Sequence, residues 1–334
     1  MKIIVPMAGM GKRMRPHTML VPKPLIPVGG KPIVQRLVED IASVCEEQIE
    51  EIAFIIGPSF GKAVEENLVK VAESLGAKGT ICYQTEALGT AHAILCAQEA
   101  LDGPVIIAFA DTLFRADFKL DGNQDGIIWV QQIDDPSAFG VVKLNEKNEI
   151  TDFVEKPTDF VSDLAIIGIY YINDGPQLKK ELQYLIDNDI KDGGEYQLTN
   201  ALENLKAKGT TFVPGQVKEW LDCGNYAATV YTNQRVLEFI KNEGIVAADL
   251  KLNNSVVVEP CMIGEGVVIE NSVVGPHVTL SAGCTVTNSI LKNSIVYENT
   301  SIENEVISDS MIGNDVKLKG QMKEVSIGSF TTEK

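Results

Sequence analysis

The chain has 334 residues, which is enough for a sizeable hydrophobic core and, as a first expectation, for two domains. Asp and Glu outnumber Lys and Arg by 46 to 29, and the formal charge of −17 argues against a general binder of nucleic acid or anionic membranes. No stretch approaches the ~18 uncharged apolar residues of a membrane span, and the N-terminus predicts a strand instead of a signal sequence. The six cysteines form no Cys-x-x-Cys pair, so we expect reduced thiols in a cytoplasmic protein.

Strands and helices are predicted to alternate along the first part of the chain. Apolar, β-branched runs predict strands at 2–5, 52–56, 80–83, 104–109 and 127–133. Helical stretches are predicted at 31–44, 61–75 and 90–101. This alternation indicates crossover connections and an α/β domain built on a mainly parallel sheet. In such sheets ligands collect at the carboxyl ends of the strands.

The turn after the first predicted strand has the composition of a phosphate-binding loop. Gly9 and Gly11 can adopt positive φ and let backbone N–H groups approach an oxyanion. Arg13 adds a planar fork of donors, and Lys23 adds a compact positive charge. The spacing matches neither the ATPase loop nor the dinucleotide fingerprint, which argues against an ATPase or a dehydrogenase. A glycine-rich turn with solvated basic residues is the alternative interpretation.

Two polar residues follow later predicted strands. Gln84 carries a carboxamide, which donates and accepts, so it can complement the imide edge of uracil or thymine. Asp111 ends an otherwise apolar strand, and Mg²⁺, which prefers one or two carboxylates plus phosphate oxygens, is the natural partner for it. A plain loop residue and a turn or cap carboxylate are the alternative interpretations.

Beyond residue 240 the pattern changes to a hexapeptide repeat. A branched aliphatic residue or leucine recurs every five or six positions, at Ile263, Ile269, Val274, Leu280, Val286, Leu291, Val296, Ile302, Ile307, Ile312 and Leu318. This period predicts a triangular parallel β-helix in which these side chains stack inside. We therefore expect two domains, 1–240 and 241–334, the second serving in oligomerisation. His277 as an acetyl-transfer base is the less favoured alternative for it.

Several segments together resemble the sugar-1-phosphate nucleotidylyltransferases, in particular the glucose-1-phosphate thymidylyltransferase branch. The opening resembles that family's signature L-A-G-G-x-G-T-R-L-x-P-x-T…P-K-P-L-x-P-V…K-P, and it departs from it at Pro6, Met7, Ala8 and Lys12. The segment 84–93 resembles the base-binding segment of the uridylyltransferases, and Trp220-Leu221-Asp222-Cys223-Gly224 resembles W-x-D-x-G. The resemblance implies a Rossmann-like nucleotidyltransferase sheet followed by a left-handed parallel β-helix.

The resemblance also implies a role for individual residues. Nucleotide binding falls to Ala8, Gly9, Gly11, Gln84 and Gly89, and catalysis to Arg13, Lys23 and Lys156. The sugar phosphate would be bound by Gly140, Glu155, Lys156 and Tyr170, and Mg²⁺ would be held by Asp111 and Asp222. Phe139 replaces a family tyrosine, and Asn225 replaces a threonine.

The implied activity is transfer of a nucleotidyl group from dTTP or UTP to a sugar 1-phosphate, with glucose 1-phosphate as the first expectation. The alternatives are a UTP-dependent N-acetylglucosamine-1-phosphate or glucose-1-phosphate uridylyltransferase and, outside enzymes, a regulatory subunit that binds a nucleotide sugar. Retention of the cationic and carboxylate positions counts against the regulatory subunit. We expect a homo-oligomer without nucleic-acid or membrane partners.

Overall fold

The computed structural model describes residues 1–9, 11–116, 119–243, 245–321 and 324–329. Met10 of the opening turn and residues 330–334 of the predicted tail lie outside the described residues. The chain forms two compact units, one of Met1–Ile26 and Lys31–Asn225 and one of Pro27–Gly30 and Tyr226–Lys334. A domain boundary between residues 240 and 241 stays a prediction. None of the described helices has the length and apolar composition that a membrane span requires.

The chain up to Asn225 contains thirteen strands and five α-helices in its described part. The strands are β1 (Lys2–Pro6), β2 (Pro27–Val28), β3 (Lys31–Pro32), β4 (Glu51–Ile56), β5 (Lys78–Tyr83), β6 (Val105–Ala108), β7 (Thr112–Arg115), β8 (Gly126–Gln132), β9 (Val141–Leu144), β10 (Ile150–Val154), β11 (Leu164–Ile172), β12 (Phe212–Gln216) and β13 (Glu219–Asp222). The helices are α1 (Ile33–Val44), α2 (Lys62–Ser74), α3 (Thr90–Leu95), α4 (Gly175–Asp187) and α5 (Leu198–Ala207).

A nine-stranded sheet organises the first unit. Its main path is β10-β9-β11-β6-β1-β4-β5, with β8 paired to β11 and β12 paired to β8. The strands β6, β1, β4 and β5 are mutually parallel, as the alternation predicts. β11 runs antiparallel to β6, so the far half of the sheet is mixed.

The central strands are buried on both faces, which is why their sequences are continuous apolar runs instead of alternating ones. Ile3 and Ile4, neighbours on β1 that point to opposite faces, are both fully buried. One face of the sheet packs against apolar residues of α3, α4 and α5. The α/β prediction is confirmed, and the polar residues that follow β1, β5 and β6 lie at the carboxyl ends of parallel strands.

From Tyr226 onward, the described part of the second unit contains α6 (Tyr226–Ile240) and thirteen short strands. These are β14 (Lys251–Asn253), β15 (Val256–Val257), β16 (Cys261–Ile263), β17 (Val268–Glu270), β18 (Val273–Val274), β19 (Val278–Leu280), β20 (Thr285–Thr287), β21 (Ile290–Lys292), β22 (Ile295–Val296), β23 (Ser301–Glu303), β24 (Val306–Ser308), β25 (Met311–Ile312) and β26 (Lys317–Lys319).

These strands form three parallel sheets, β14-β17-β20-β23-β26, β15-β18-β21-β24 and β16-β19-β22-β25. The aliphatic residues of the repeat form one core along the axis. The predicted parallel β-helix is confirmed.

Asparagine and serine turn the chain at one corner of the β-helix. Asn254 and Asn271 have φ of 46° and 48°, a left-handed conformation that Asn tolerates better than most residues. The serine that follows each one bonds to the next coil, since Ser272 N donates to Ser255 Oγ at 3.0 Å. The Asn-Ser pairs therefore set the corner and tie successive coils together.

Candidate active site

The opening turn needs glycine at Gly11 for a steric reason. Gly11 has φ of 56°, and a Cβ there would lie 2.9 Å from Lys23 Cβ and 3.0 Å from Thr18 Cγ2. Thr18 Oγ1 also donates a hydrogen bond to Gly11 O at 2.8 Å. A side chain at residue 11 would thus push away the segment that carries Lys23. Around Gly9, in contrast, no atom of a described residue other than its chain neighbours lies within 4 Å of the Cβ position.

A first cleft of ≈ 280 Å³ opens beside this turn. Its lining includes all of the residues predicted to bind the nucleotide, together with Lys23: Ala8, Gly9, Gly11, Lys23, Gln84 and Gly89. Gly89 has φ of 113°, and a Cβ there would lie 2.4 Å from Tyr196 O. The first cleft is more apolar than polar, as suits the faces of a base and a ribose.

A second cleft of ≈ 370 Å³ contains most of the other predicted residues. Its lining includes Arg13, Asp111, Gly140, Glu155, Tyr170 and Asp222. Gly140 lies close to Glu155, because a Cβ on it would be 3.1 Å from Glu155 Oε2. Phe139 and Trp220 add apolar area through an edge-to-face contact with ring centroids 5.0 Å apart. This lining is the more polar of the two.

The two clefts meet at Asp111, which lines both of them together with Thr90 and Phe109. Lys23 Nζ lies 2.7 Å from Asp111 Oδ2, and only 12% of the Lys23 side chain is exposed. A lysine held this way is a fixed positive charge at the junction. Ligands occupying both clefts would therefore meet beside Lys23 and Asp111.

Strand pairing brings the second carboxylate to the same place. β13 pairs antiparallel with β7, which sets Asp222 opposite Thr112, and Cys223 N donates to Asp111 O at 2.8 Å. Asp222 Oδ1 accepts a hydrogen bond from Gly224 N at 2.9 Å. Two residues 111 positions apart in the sequence are thus held together by main-chain bonds.

Burial raises the pKa of Asp222, and the negative charge of Asp111 raises it further against the opposing effects of the Gly224 N–H, Lys23 and Arg13. The Arg13 guanidinium lies near the Asp222 carboxylate. A Cβ built on Gly224 would be 2.9 Å from Asp222 Oδ1 and 3.4 Å from Arg13 Nη2. The site therefore concentrates negative charge that a cation would stabilise.

The donor set fits Mg²⁺. Within the described part of the chain no group of three or more His, Cys, Asp or Glu side chains could hold a metal, so the protein supplies at most the two carboxylates here. Mg²⁺ typically binds one or two carboxylates and completes its octahedron with phosphate oxygens and water. Asp111 and Asp222 match that requirement.

Lys156, the chain neighbour of Glu155, is not among the residues that line either cleft. Its side chain is 60% exposed, and its Nζ is 3.5 Å from Glu155 Oε1. Its backbone N donates to Phe139 O at 3.2 Å. Tyr170 is buried in the second cleft, and burial, together with the charges of Glu155 and Asp111, raises its pKa.

The cleft-lining residues to which sequence reasoning assigned no role include Glu195 in the first cleft and Thr199 and Trp220 in the second. Thr199 Oγ1 and Trp220 Nε1 are buried and have no hydrogen-bond partner among the described residues. Leaving each of these buried groups without a hydrogen bond costs free energy, and a hydrogen bond to a polar ligand would remove that cost. The sequence signal for Glu195 and Thr199 was the segment after Gly194, which resembles the family's G-E-x-E-I-T-D.

The chain belongs to the nucleotidyl transferase family, whose sequence model matches residues 2–238. It is 30% identical to the bifunctional protein GlmU of Methanococcus maripaludis over 336 residues, covering 94% of this chain and 77% of that protein. It is 29% identical to a glucose-1-phosphate thymidylyltransferase of Streptomyces antibioticus, covering 95% of this chain and 93% of that enzyme.

A solved UDP-glucose pyrophosphorylase in complex with UDP-glucose has a similar fold. The two superpose with a TM-score of 0.58 at 24% identity, covering 71% of this chain and 98% of that one. The expectation that the chain is a nucleotidyltransferase is confirmed by the family match.

Proposed function

We propose that this protein transfers a nucleotidyl group from dTTP or UTP to a sugar 1-phosphate, giving a nucleotide sugar and pyrophosphate. The observation that carries the proposal is the meeting of two clefts at Asp111, with Lys23 bound to it and Asp222 beside it. One cleft suits a nucleotide and the other a polyol with a phosphate. A transfer between two bound substrates needs such a junction.

The first cleft would hold the nucleoside triphosphate. Ala8, Gly9 and Gly11 would let the backbone approach the phosphates, and Gln84 and Gly89 would contact the base. Arg13 lines the second cleft near Asp222, and from there it would stabilise the leaving pyrophosphate and the charge that develops around it.

The second cleft would hold the sugar 1-phosphate. Glu155 can accept hydrogen bonds from sugar hydroxyls, and Gly140 lets a hydroxyl reach the backbone. Tyr170 stays protonated and can donate, since its pKa is raised. Lys156 would turn from Glu155 towards the phosphate, because its exposed side chain is held by one long ion pair.

The chemistry needs no covalent intermediate and no general base. A phosphate oxygen of the sugar phosphate attacks the α-phosphorus, the bond to the β-phosphate oxygen breaks, and pyrophosphate leaves. The attacking oxygen is already ionised near neutral pH. Mg²⁺ on Asp111 and Asp222 would supply charge neutralisation at the phosphates. Lys23 would hold the two reacting phosphates together at the junction.

dTTP with glucose 1-phosphate is our first choice of substrates. UTP with glucose 1-phosphate or N-acetylglucosamine 1-phosphate is the competing pair, and the similarity to GlmU as well as to a thymidylyltransferase keeps it open. Thymine and uracil differ by one methyl group, whose contact is worth about 1–3 kcal/mol, and dTTP also lacks the 2′-hydroxyl of UTP. Measurement must therefore decide between them.

The test is pyrophosphate release over a grid of dTTP, UTP, GTP, ATP and CTP against glucose-, N-acetylglucosamine-, galactose- and mannose-1-phosphate, with Mg²⁺ or with chelator. We expect a Mg²⁺-dependent signal confined to dTTP or UTP. Asp111→Asn and Asp222→Asn should each lower kcat by roughly 10²-fold or more, since each removes a carboxylate that would hold the Mg²⁺ needed to neutralise the transition-state phosphates. Asp187→Asn, on the exposed end of α4, is the matched control and should leave kcat unchanged.

Activity with GTP or ATP alone would overturn the assignment of Gln84 to the base. Binding of pyrimidine triphosphates without release of pyrophosphate from any pair would favour the regulatory subunit.

We also propose a homo-oligomer formed through one face of the β-helix. Each of the three sheets forms one face of the β-helix. The face that contains β19 packs against α6, since Thr279 of β19 donates a hydrogen bond to Asn233 of α6. The face that contains β14 and β17 presents mainly polar residues such as Lys251 and Glu270. The third presents an exposed, in-register apolar ladder of Val256, Val273, Ile290 and Val306. The ladder offers on the order of 300 Å², enough for the core of an interface of ~800 Å² per partner.

A second copy suits this face because the ladder is uncharged in a chain whose net charge of −17 makes copies repel elsewhere. Ile290→Lys should lower the mass measured by light scattering after size-exclusion chromatography, and Thr287→Lys on the polar face should not. A monomeric wild-type protein would refute the oligomer. A cytoplasmic location stays our proposal, in keeping with the six cysteines, which are all described and none of which forms a disulfide.

A further inference from the structure

Two contacts hold the side chain of Gln84, a residue that lines the first cleft. Its backbone is fixed at the end of β5, where Gln84 N donates to Ile56 O at 2.9 Å. Its side-chain Nε2 lies 3.2 Å from Gly89 O and 3.1 Å from His92 Nδ1. His92 lies on α3, one turn after the glycine. Three residues that are separate in the sequence therefore meet at one amide group.

Chemistry determines which way round this amide lies. Gly89 O is a carbonyl oxygen and can only accept, so the amide must direct its NH₂ group, and not Oε1, towards it. The second N–H of the same group then points at His92 Nδ1. That ring nitrogen must accept, which places the imidazole proton on Nε2. Both donors of Gln84 are then used, and Oε1 is the polar atom of the amide that these two contacts leave for a ligand in the first cleft, which Gln84 lines.

We propose that His92 is a positioning residue for nucleobase selection, because it holds Gln84 with its carbonyl oxygen towards the base. This inference rests on the proposed function, in which Gln84 contacts the base. It changes the sequence-based expectation that the amide both donates to and accepts from the imide edge. With its NH₂ group occupied, Gln84 offers the base one acceptor.

A single fixed acceptor discriminates between pyrimidines. Uracil and thymine carry a hydrogen on N3 and can donate it to Gln84 Oε1. Cytosine presents a lone pair at N3, which Oε1 repels, and an amide free to rotate would avoid this repulsion by turning its NH₂ group to the base. His92 thus contributes to rejection of CTP by preventing that rotation.

His92→Leu replaces the imidazole by a side chain of similar size that has no hydrogen-bond acceptor. His92→Asn keeps an acceptor, Oδ1, near the position of Nδ1. Loss of one neutral hydrogen bond predicts a ~3–10-fold rise in Kd for UTP and dTTP in His92→Leu. The ratio of the Kd for CTP to the Kd for UTP should fall at the same time. His92→Asn should restore most of both quantities.

The test is isothermal titration calorimetry of the full chain with UTP, dTTP and CTP in the presence of Mg²⁺ and without sugar phosphate. Gln84→Ala and the double variant Gln84→Ala/His92→Leu complete a double-mutant cycle. If His92 acts through Gln84, His92→Leu has no further effect on UTP binding in the Gln84→Ala background. Should His92→Leu fail to fold by its thermal melt, His92→Met takes its place.

The outcomes separate the two proposals. If the wild type binds UTP but His92→Leu keeps the wild-type ratio of CTP to UTP, the role of His92 is refuted and the proposed function stands. If His92→Leu weakens UTP binding equally in the wild-type and the Gln84→Ala backgrounds, the role of His92 is refuted as well, since equal effects indicate a general packing role. If the wild type binds no pyrimidine triphosphate, the proposed function itself fails.

Discussion

Replacing Gly89 by alanine should damage the first unit through its backbone, independently of any ligand. Gly89 has φ of 113° and ψ of 179°, a region that is essentially restricted to glycine. A Cβ at this position would lie 2.4 Å from Tyr196 O and 2.7 Å from Tyr196 N. Those two atoms are hydrogen-bonded to Ala91 N at 2.9 Å and to Leu88 O at 2.8 Å. The methyl group can be accommodated only if these bonds lengthen.

The expected loss of stability is the sum of two costs. The backbone conformation costs an alanine about 1–3 kcal/mol. Weakening two backbone hydrogen bonds adds about 0.5–1.5 kcal/mol each. The free energy of unfolding should therefore fall by about 2–6 kcal/mol, and the Tm of the first unit should fall by on the order of 10 °C.

Differential scanning calorimetry and urea unfolding measure this loss, and Gly9→Ala is the matched control. Gly9 lines the same cleft, but apart from its chain neighbours no described residue has an atom within 4 Å of its Cβ position. Its substitution should change stability by less than about 0.5 kcal/mol and should weaken nucleotide binding because the methyl group enters the cleft. A loss below about 1 kcal/mol for Gly89→Ala, or an equal loss for both variants, would refute the backbone argument.

Two further predictions concern stability. Asn233 is fully buried, and its Oδ1 accepts from Gly29 N and Thr279 Oγ1, both at 2.8 Å. Asn233→Ala should therefore cost about 2–4 kcal/mol by urea unfolding, and a loss no larger than that of the exposed Asn242→Ala would contradict this. Burial raises the pKa of Asp40 from 3.8 to about 7. Between these two values the folded chain keeps the carboxyl proton and the unfolded chain loses it. The free energy of unfolding should therefore fall as the pH rises from about 4 to 7. Asp40→Asn should be more stable than the wild type by about 1–3 kcal/mol at pH 8 and equally stable near pH 4, and equal melts at pH 8 would show the carboxylate to be solvated.

Much of the fold could be predicted because its patterns are local. The strands β1, β4, β5 and β8 differ from the predicted runs by at most two residues at either end, since apolar β-branched runs have few other stable conformations. The repeat of the β-helix was readable from its inward aliphatic residues alone. The antiparallel strand β11 beside β6 was not predicted, since pairing between distant strands leaves no periodic signal in either of them.

The candidate site was predictable to the extent that each residue lies in a recognisable segment. Gly9, Gln84, Asp111 and Asp222 all line the clefts, although their roles stay predictions. Lys156 was expected to bind the sugar phosphate, and this stays a prediction, since its side chain is 60% exposed and is paired with Glu155. A flexible, exposed side chain has several accessible rotamers, and a sequence pattern does not select among them.

The amino-acid sequence alone establishes the family, the α/β class, the β-helix and the glycines of the opening turn, because strand period, positive φ and motif order are properties of short segments. The approach of Asp222 to Asp111 depends instead on the pairing of β13 with β7, which joins residues far apart in the chain. The orientation of the Gln84 amide depends on Gly89 and His92 together. Both the approach of the two carboxylates and the orientation of the amide are results of tertiary packing. In each case the position of a side chain is set by residues that come close to it only when the chain folds.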